Sequence, residues 1–348
     1  MDTDKLKTLT VARAKKLLGA QRPMQGLKGV LRLDNVTSIS RDVAEVLAKH
    51  KNDLLLNGMT SLSVDAAKAL AKHDSGYLML DGLAMLPDDV ATALAKHKGE
   101  ALTLDGLRRI SGNGLAALAL FKGRYLSLGL ESMTVDDAKI LARTKGSLSP
   151  GITRLSAEVA AVLGKRRGEL YLERLKSLSV EAAGALANHR GYLDLNGLSR
   201  ISSGAAKKLA RHKGDVDLSG VTRLSKDAAS ALVKVEGLLG LDGLTSITAG
   251  VAVELAKRPD RLNLVALKRL SDVAAKALAK HKGKLGLWDV IEISDKALKV
   301  LMPKYAAGTI SLPWGDVGKR MNKVWEARDK GLWLFRRRKR GVKKSKDV

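Results

Sequence analysis

A short hydrophobic motif, LxLxGL, returns every 22 to 25 residues from Leu31 until the regular pattern stops at Leu312. Its copies read LRLDNV, LLLNGM, LMLDGL, LTLDGL, LSLGLE, LYLERL, LDLNGL, VDLSGV, LGLDGL, LNLVAL, LGLWDV and ISLPWG. A unit of this size cannot bury its own apolar face, so it becomes stable only when it stacks on neighbouring units. The sequence therefore predicts one elongated solenoid of about 12–13 coils.

The second half of each repeat has the pattern of a short helix. Apolar residues fall four, seven and eight positions after a cap residue, which is a one-faced helical stripe. A glycine such as Gly99 follows most stripes, and we expect it to close the helix in a left-handed conformation. The hydroxyl caps are Ser40, Ser63, Ser111, Thr134, Ser156, Ser179, Ser202, Ser225, Thr248, Ser271 and Ser294, with Pro87 as the exception.

Strand, tight turn and helix at this period resemble the leucine-rich repeat superfamily, and within it the bacterial class of about 23 residues that includes treponemal BspA-like repeats. The resemblance covers residues 6 to about 312 and is carried by stretches such as LTLDGLRRISGNGLAALALFKG. Leu and Ala stand where BspA-like repeats often carry Phe and Cys. The resemblance implies an α/β repeat solenoid with short parallel strands on one face and helices on the other. It implies a partner bound to the sheet or an edge, and no chemistry.

The repeat array is interrupted once and has atypical ends. Pro150 stands where a strand leucine belongs, and proline cannot donate to a ladder, so we expect a kink there. After Leu312 an amphipathic segment carries Trp314, Trp325 and Trp333. The predicted segments are a degenerate N-terminal cap (1–30), the solenoid (31–312) with a kink near 144–152, a C-terminal cap helix (313–335) and a basic tail (336–348).

A formal net charge of +26 points to an anionic partner, because an excess of this size reports on association rather than on fold. One cation at each helix C-terminus complements the helix dipole. Most coils carry more than one, and the additional cations indicate contact with a polyanion or a contribution to solubility. The scarcity of phenylalanine and the lack of any nucleic-acid-binding motif weigh against nucleic acid. The polyanion-binding candidates are Lys96, Lys98, Arg109, Arg154, Arg166, Arg167, Arg190, Arg200, Arg211, Lys213, Arg223, Arg269, Lys280, Lys282, Arg336, Arg337, Arg338, Lys339 and Arg340.

The inner strand face is predicted to bind a protein or peptide. Strand alternation places the middle residue of LxL and the residue before the motif on this face, and four of the five tyrosines occupy these positions. Neighbouring acids there would repel one another unless a basic or mixed segment, or a calcium ion, offsets them; solvation of exposed acids is the alternative. Charge reversal at Asp194 and Asp217 is expected to abolish binding. The candidates are Tyr77, Tyr125, Glu169, Tyr171, Tyr192, Asp194, Asp215 and Asp217.

The remaining polar residues predict no catalytic or metal site and no cofactor. All six histidines recur ten residues after the cap position, where we expect them to cap helix C-termini rather than to bind a metal. The Asp or Asn after LxL predicts a local Asx turn. With no cysteine, no unique catalytic constellation and no apolar span or signal segment, the sequence predicts a cytoplasmic, non-catalytic scaffold. A basic edge and an acidic face also allow self-association.

Overall fold

The computed structural model describes residues 8–19, 29–313 and 315–327. The chain divides into two compact units, the first comprising Met1–Gly197 with His212–Asp215 and the second Leu198–Arg211 with Val216–Val348. The predicted basic tail lies wholly outside the described residues, and both predicted caps lie partly outside them.

In the first unit, short parallel strands alternate with short helices. The strands pair in sequence order, and equivalent leucines face each other across the ladder, as Leu31 with Leu54 and Leu54 with Leu78. The elements are α1 (Val11–Gly19), β1 (Leu31–Arg32), α2 (Arg41–Leu47), β2 (Leu54–Leu55), α3 (Val64–Leu70), β3 (Tyr77–Met79), α4 (Asp88–Leu94), β4 (Ala101–Leu104), α5 (Gly112–Leu118), β5 (Tyr125–Leu128), α6 (Val135–Leu141), β6 (Ser147–Ser149), α7 (Ala157–Leu163), β7 (Leu170–Tyr171), α8 (Val180–Leu186) and β8 (Leu193–Asp194).

The second unit repeats this construction. Its strands are also parallel: β9 pairs with β10, β13 lies between β11 and β15, and β12 pairs with β14. The elements are α9 (Ser203–Leu209), β9 (Val216–Asp217), α10 (Lys226–Leu232), β10 (Leu239–Gly240), α11 (Ala249–Leu255), β11 (Leu262–Asn263), β12 (Arg269–Leu270), α12 (Asp272–Leu278), β13 (Leu285–Gly286), β14 (Glu292–Ile293), α13 (Asp295–Ala306) and β15 (Ile310–Ser311), followed by helical residues 316–327.

Leucine and alanine form the core of each coil. Leu54 and Leu56, the two leucines of one LxL motif, are completely buried, and so are Ala67 and Leu70 on α3. Burying a leucine side chain stabilises a fold by about 1.5–3 kcal/mol, so this repeated pair accounts for the stacking. The fold is an α/β repeat solenoid, which confirms the predicted fold class.

The predicted helix starts are confirmed. The Ser179 side chain accepts a hydrogen bond from the N–H of Ala182, and Thr134 forms a reciprocal capping box with Asp137. Pro87 begins α4 without a side-chain cap. These bonds satisfy amide groups that the first helical turn leaves unpaired.

The predicted glycine closure of the helices is wrong. Helix α4 ends at a right-handed C-cap, Ala95, with φ −59° and ψ −18°. Gly99 comes later, in the turn that leads to the next strand, where a Cβ would lie 2.8 Å from the carbonyl oxygen of Gly76. The glycine therefore permits two coils to approach closely rather than adopting a left-handed conformation.

In the coils from Asp34 to Asp105, the Asp or Asn after LxL bonds to the next coil, whereas the sequence predicts a local turn. Asp34 Oδ1 accepts from the N–H of Asn57 at 3.2 Å, and Asn57 Oδ1 accepts from the N–H of Asp81 at 3.3 Å. Asp81 Oδ1 then accepts from the N–H of Asp105 at 3.0 Å and from Thr103 Oγ1 at 2.7 Å. These side chains hold successive coils together at the strand ends.

Within the first unit, the strand ladder is thinnest beside Pro150. β6 ends at Ser149, and it pairs with β7 through Leu148 and Leu170 alone. Gly151 follows with φ +77°, a left-handed conformation that glycine adopts easily. A kink near 144–152 stays a prediction.

Candidate binding surfaces

Tyrosine rings gather on the strand face of the first unit. Tyr125 begins β5 and Tyr171 ends β7, and their ring centroids lie 5.5 Å apart at an interplanar angle of 81°. Tyr192 packs on the other side of Tyr171, also at 5.5 Å and at 61°. Edge-to-face pairs of this kind stabilise beyond the area they bury. Tyr77, at the start of β3, is 37% exposed.

A hydrogen-bond network orients the central ring. The Tyr171 hydroxyl donates to Glu169 Oε2 at 2.8 Å, and Ser147 Oγ donates to the same oxygen at 2.9 Å. Burial, and then the bond and charge of Glu169, raise the pKa of the Tyr171 hydroxyl, and burial raises the pKa of the Tyr125 hydroxyl. Both tyrosines therefore stay neutral at physiological pH.

An open cavity of about 600 Å³ lies against these rings. Its lining combines aromatic faces with charged groups of both signs. The lining residues are Tyr77, Glu100, Arg124, Tyr125, Lys145, Gly146, Ser147, Gly168, Glu169 and Tyr171. Three of the four predicted tyrosines and Glu169 thus line a single cavity.

The predicted acidic row is not a uniformly exposed surface. Asp194 is only 6% exposed, accepts from the N–H of Asn196 at 2.8 Å and receives the Tyr192 hydroxyl at 3.4 Å. Asp215 is half-buried, and Asp217, in the second unit, accepts from the N–H of Ser219 at 2.8 Å. Asp194 is therefore a structural residue, so its charge reversal would disturb the end of β8 and is no test of binding.

All six predicted histidines are buried, and His50, His73 and His212 each contact a carbonyl oxygen of the preceding coil. His73 Nε2 lies 2.9 Å from the carbonyl oxygen of Asn52, and His212 Nε2 lies 3.0 Å from that of Gly191. The prediction that the histidines cap their own helices is wrong, because these contacts span 21 residues. Neighbouring rings stack, with centroids 5.5 Å apart for His73 and His97. Among the described residues, no group of three or more His, Cys, Asp or Glu could hold a metal ion.

Other side chains take this histidine position in the remaining coils. Phe121 stacks on His97 with centroids 6.0 Å apart. Lys304 Nζ donates to the carbonyl oxygens of His281 at 2.8 Å and Gly283 at 3.0 Å. The position ten residues after each cap, taken without regard to residue type, identifies the whole column in the sequence. Its members are all buried: His50, His73, His97, Phe121, Thr144, Arg166, His189, His212, Val235, Arg258, His281 and Lys304.

Arg166 belongs to this buried column, which corrects its assignment to the polyanion-binding candidates. It is 4% exposed, and its guanidinium donates to the carbonyl oxygens of Glu169 and Gly146 and to Thr144 Oγ1. Burial lowers its pKa to about 10, so it stays charged at neutral pH. Its role is to satisfy buried acceptors of the preceding coil.

Burial holds these histidines neutral. Desolvation lowers the pKa of every one of the six. The pKa falls to about 4 for His97, where burial is reinforced by His73, and to about 4 for His189, where His212 and Arg166 add to burial. A charged imidazole at His97 or His189 would lose hydration without gaining an anionic partner.

The other basic candidates that the structure describes are exposed. The arginine row, before the helix caps, contains one ion pair, between Arg269 and Glu292 at 2.8 Å. The helix-end row has no ion pair with any described carboxylate and comprises Lys96, Lys98, Arg167, Arg190, Arg211, Lys213, Lys280 and Lys282. Candidates Arg336, Arg337, Arg338, Lys339 and Arg340 lie outside the described residues.

No protein-family model and no curated protein match the chain. Among solved structures, the chain is similar to an LRR protein of Leptospira interrogans at 15% identity, with 88% of this chain and 81% of that one covered and a TM-score of 0.43. It is also similar to an internalin from Listeria monocytogenes at 15% identity, with 88% of this chain and 89% of that chain covered and a TM-score of 0.46. The chain is similar as well to Rad7 in the yeast complex of Rad7 and Elc1, at 18% identity, with 89% of this chain and 81% of that chain covered and a TM-score of 0.45.

Within the described residues, no helix has the length and apolar character needed to cross a membrane. The resemblance to solved structures concerns the fold, and the narrower resemblance to BspA-like repeats stays a prediction.

Proposed function

We propose that this protein is a non-catalytic binding scaffold that recognises a protein or peptide segment on the strand face of its first unit. The observation that carries the proposal is the cavity of about 600 Å³ lined by Tyr77, Tyr125 and Tyr171. Tyrosine is favoured at protein interfaces because it offers a large, rigid contact area and one polar tip. Here the hydrogen bond to Glu169 and the neighbouring rings hold Tyr171 in place before any partner binds.

The charges around the cavity favour a segment of mixed charge. Glu100 and Glu169 offer acceptors for a lysine or arginine of the partner, while Arg124 and Lys145 offer donors for a carboxylate. Complementary charges at the rim contribute more to specificity and association rate than to affinity. The aromatic faces therefore supply most of the binding energy in this proposal.

Replacing Tyr171 by alanine is expected to weaken binding at least tenfold, because truncating an aromatic hot spot removes about 2 kcal/mol or more. The ligands would be peptides selected from a randomised library on the wild-type protein, with affinity measured by isothermal titration calorimetry. Tyr171→Phe keeps the ring and should retain most of the affinity. Tyr305→Ala, a tyrosine of the second unit, is the matched control. Selected peptides that bind Tyr171→Ala as tightly as wild type would contradict the proposal.

A second candidate function is the binding of a polyanion, such as nucleic acid, by the helix-end row. Support comes from the exposure of the residues in this row and from their lack of ion pairs with described carboxylates, whereas the helix-end lysines Lys51 and Lys257, outside the row, pair with Asp74 and Glu254. We expect the affinity for labelled duplex and single-stranded DNA to fall linearly with salt on a double-logarithmic plot, because bound phosphates release counterions. Fluorescence anisotropy over a salt series would measure this slope. Absence of binding near physiological salt would remove this candidate.

A further inference from the structure

Two positions in the first unit break the basic pattern of the helix ends, Leu120 and Asn188, and Leu120 is the apolar one of the two. The residue directly after each helix C-cap is a lysine or arginine in most coils, at Lys49, Lys72, Lys96, Arg143 and Lys165. After the C-cap of α5 the residue is Leu120, and it is 74% exposed. Leu120 therefore contributes little to the core and stands as an apolar side chain within a basic row.

Leu120 lies at an apolar groove between the ends of α4 and α5. The groove has a volume of about 570 Å³, and its floor is formed by Ala95, Ala117 and the stem of Thr92. Lysine ammonium groups surround it, and no carboxylate is among its lining residues. The lysines are Lys96, Lys98 and Lys122.

The second unit has a smaller groove of the same chemistry. It lies between α11 and α12, has a volume of about 330 Å³ and is lined by Lys257, Lys276 and Lys280 around alanines and valines. Val253 and Val273 are 45% and 60% exposed there. The combination of exposed aliphatic side chains with lysines thus occurs in both units.

We propose that the helix-end face around Leu120 docks on an anionic phospholipid surface. This inference rests on the second candidate function and names the polyanion. Each lysine close to an anionic membrane strengthens binding roughly fivefold, and an aliphatic side chain that enters the acyl boundary adds roughly tenfold or more. A nucleic-acid backbone would satisfy the lysines equally well, but it offers no apolar layer for Leu120. The exposed leucine therefore favours a bilayer.

The test is co-sedimentation of the full chain with vesicles of phosphatidylcholine alone and with vesicles that also contain phosphatidylglycerol. We expect binding to the anionic vesicles alone and a loss of about tenfold for Leu120→Gln, which changes no charge. Met85→Gln is the matched control, because Met85 is 67% exposed in the same unit but lies between β3 and α4, away from the helix ends. Its binding should equal that of wild type.

Duplex DNA binding by the same variants separates this inference from the candidate function on which it rests. Affinity for DNA that is equal in wild type and Leu120→Gln, together with weakened vesicle binding, supports the inference. Vesicle binding that is unchanged in Leu120→Gln overturns it, since the lysines and the rest of the chain would then suffice. DNA binding without vesicle binding overturns the lipid inference alone, whereas failure to bind either ligand removes both.

Discussion

Replacing Arg258 by alanine is expected to lower the free energy of unfolding of the second unit by about 3–5 kcal/mol. The Arg258 side chain is 1% exposed, and its guanidinium donates to the carbonyl oxygens of Val235, at 3.1 Å, and of Gly237. Asp260 provides a carboxylate 3.4 Å away. Alanine would leave two buried acceptors without a donor and a cavity in place of the side chain.

Chemical denaturation followed by circular dichroism measures this loss. Arg258→His should be less destabilising than alanine, because histidine takes this position in other coils and its ring reaches the preceding carbonyl, as His212 does. Lys234→Ala is the control, since Lys234 is exposed and its loss should change stability by less than about 0.5 kcal/mol. A loss below about 1 kcal/mol for Arg258→Ala would contradict the role given to this buried cation.

Acidification from pH 6.5 to 4 is expected to destabilise the protein strongly. The pKa of His97 is lowered from 6.5 to about 4 in the folded state, so across this window the unfolded chain binds a proton that the native state does not. Stability contributed by the neutral ring is complete above pH 6.5, declines as pH falls and is lost below 4. The shift corresponds to about 3 kcal/mol for this one residue, and His189 shifts in the same direction to about 4.

His97→Phe should flatten this pH dependence. Phe121 occupies the same position in the next coil, where it is 4% exposed, so a phenyl ring is compatible with the column. The free energy of unfolding at several pH values between 4 and 7, measured by denaturant titration, compares the variant with wild type. If both lost the same stability between pH 6.5 and 4, the buried imidazole of His97 could not be the source of the effect.

Most local features of this fold were predictable from the sequence because they depend on residues a few positions apart. Ser179 caps α8 through an amide three residues later, and the LxL spacing places Leu54 and Leu56 on one side of a strand. Repetition of such a unit also predicts parallel stacking, since no single unit can bury its own leucines. The fold class therefore required no tertiary information.

The candidate binding site was only partly predictable. Tyr77, Tyr125 and Tyr171 were identified from strand alternation, and the structure brings all three to one cavity. Asp194 was misjudged because alternation alone does not reveal that Asn196 and Tyr192 cover its carboxylate. The groove at Leu120 was missed, although the break in the basic row at that position was visible in the sequence.

The sequence by itself determined the repeat, the α/β solenoid, the helix starts and the strand face that carries the tyrosines. Only the tertiary structure decided which polar residues bond to an adjacent coil: Arg166, His73 and His212 bond to carbonyls 20 or 21 residues earlier, and Asp81 bonds to an amide 24 residues later. The physical reason is the range of the interactions. Periodicity and capping act within one coil, whereas burial and desolvation depend on what the adjacent coil places against a side chain.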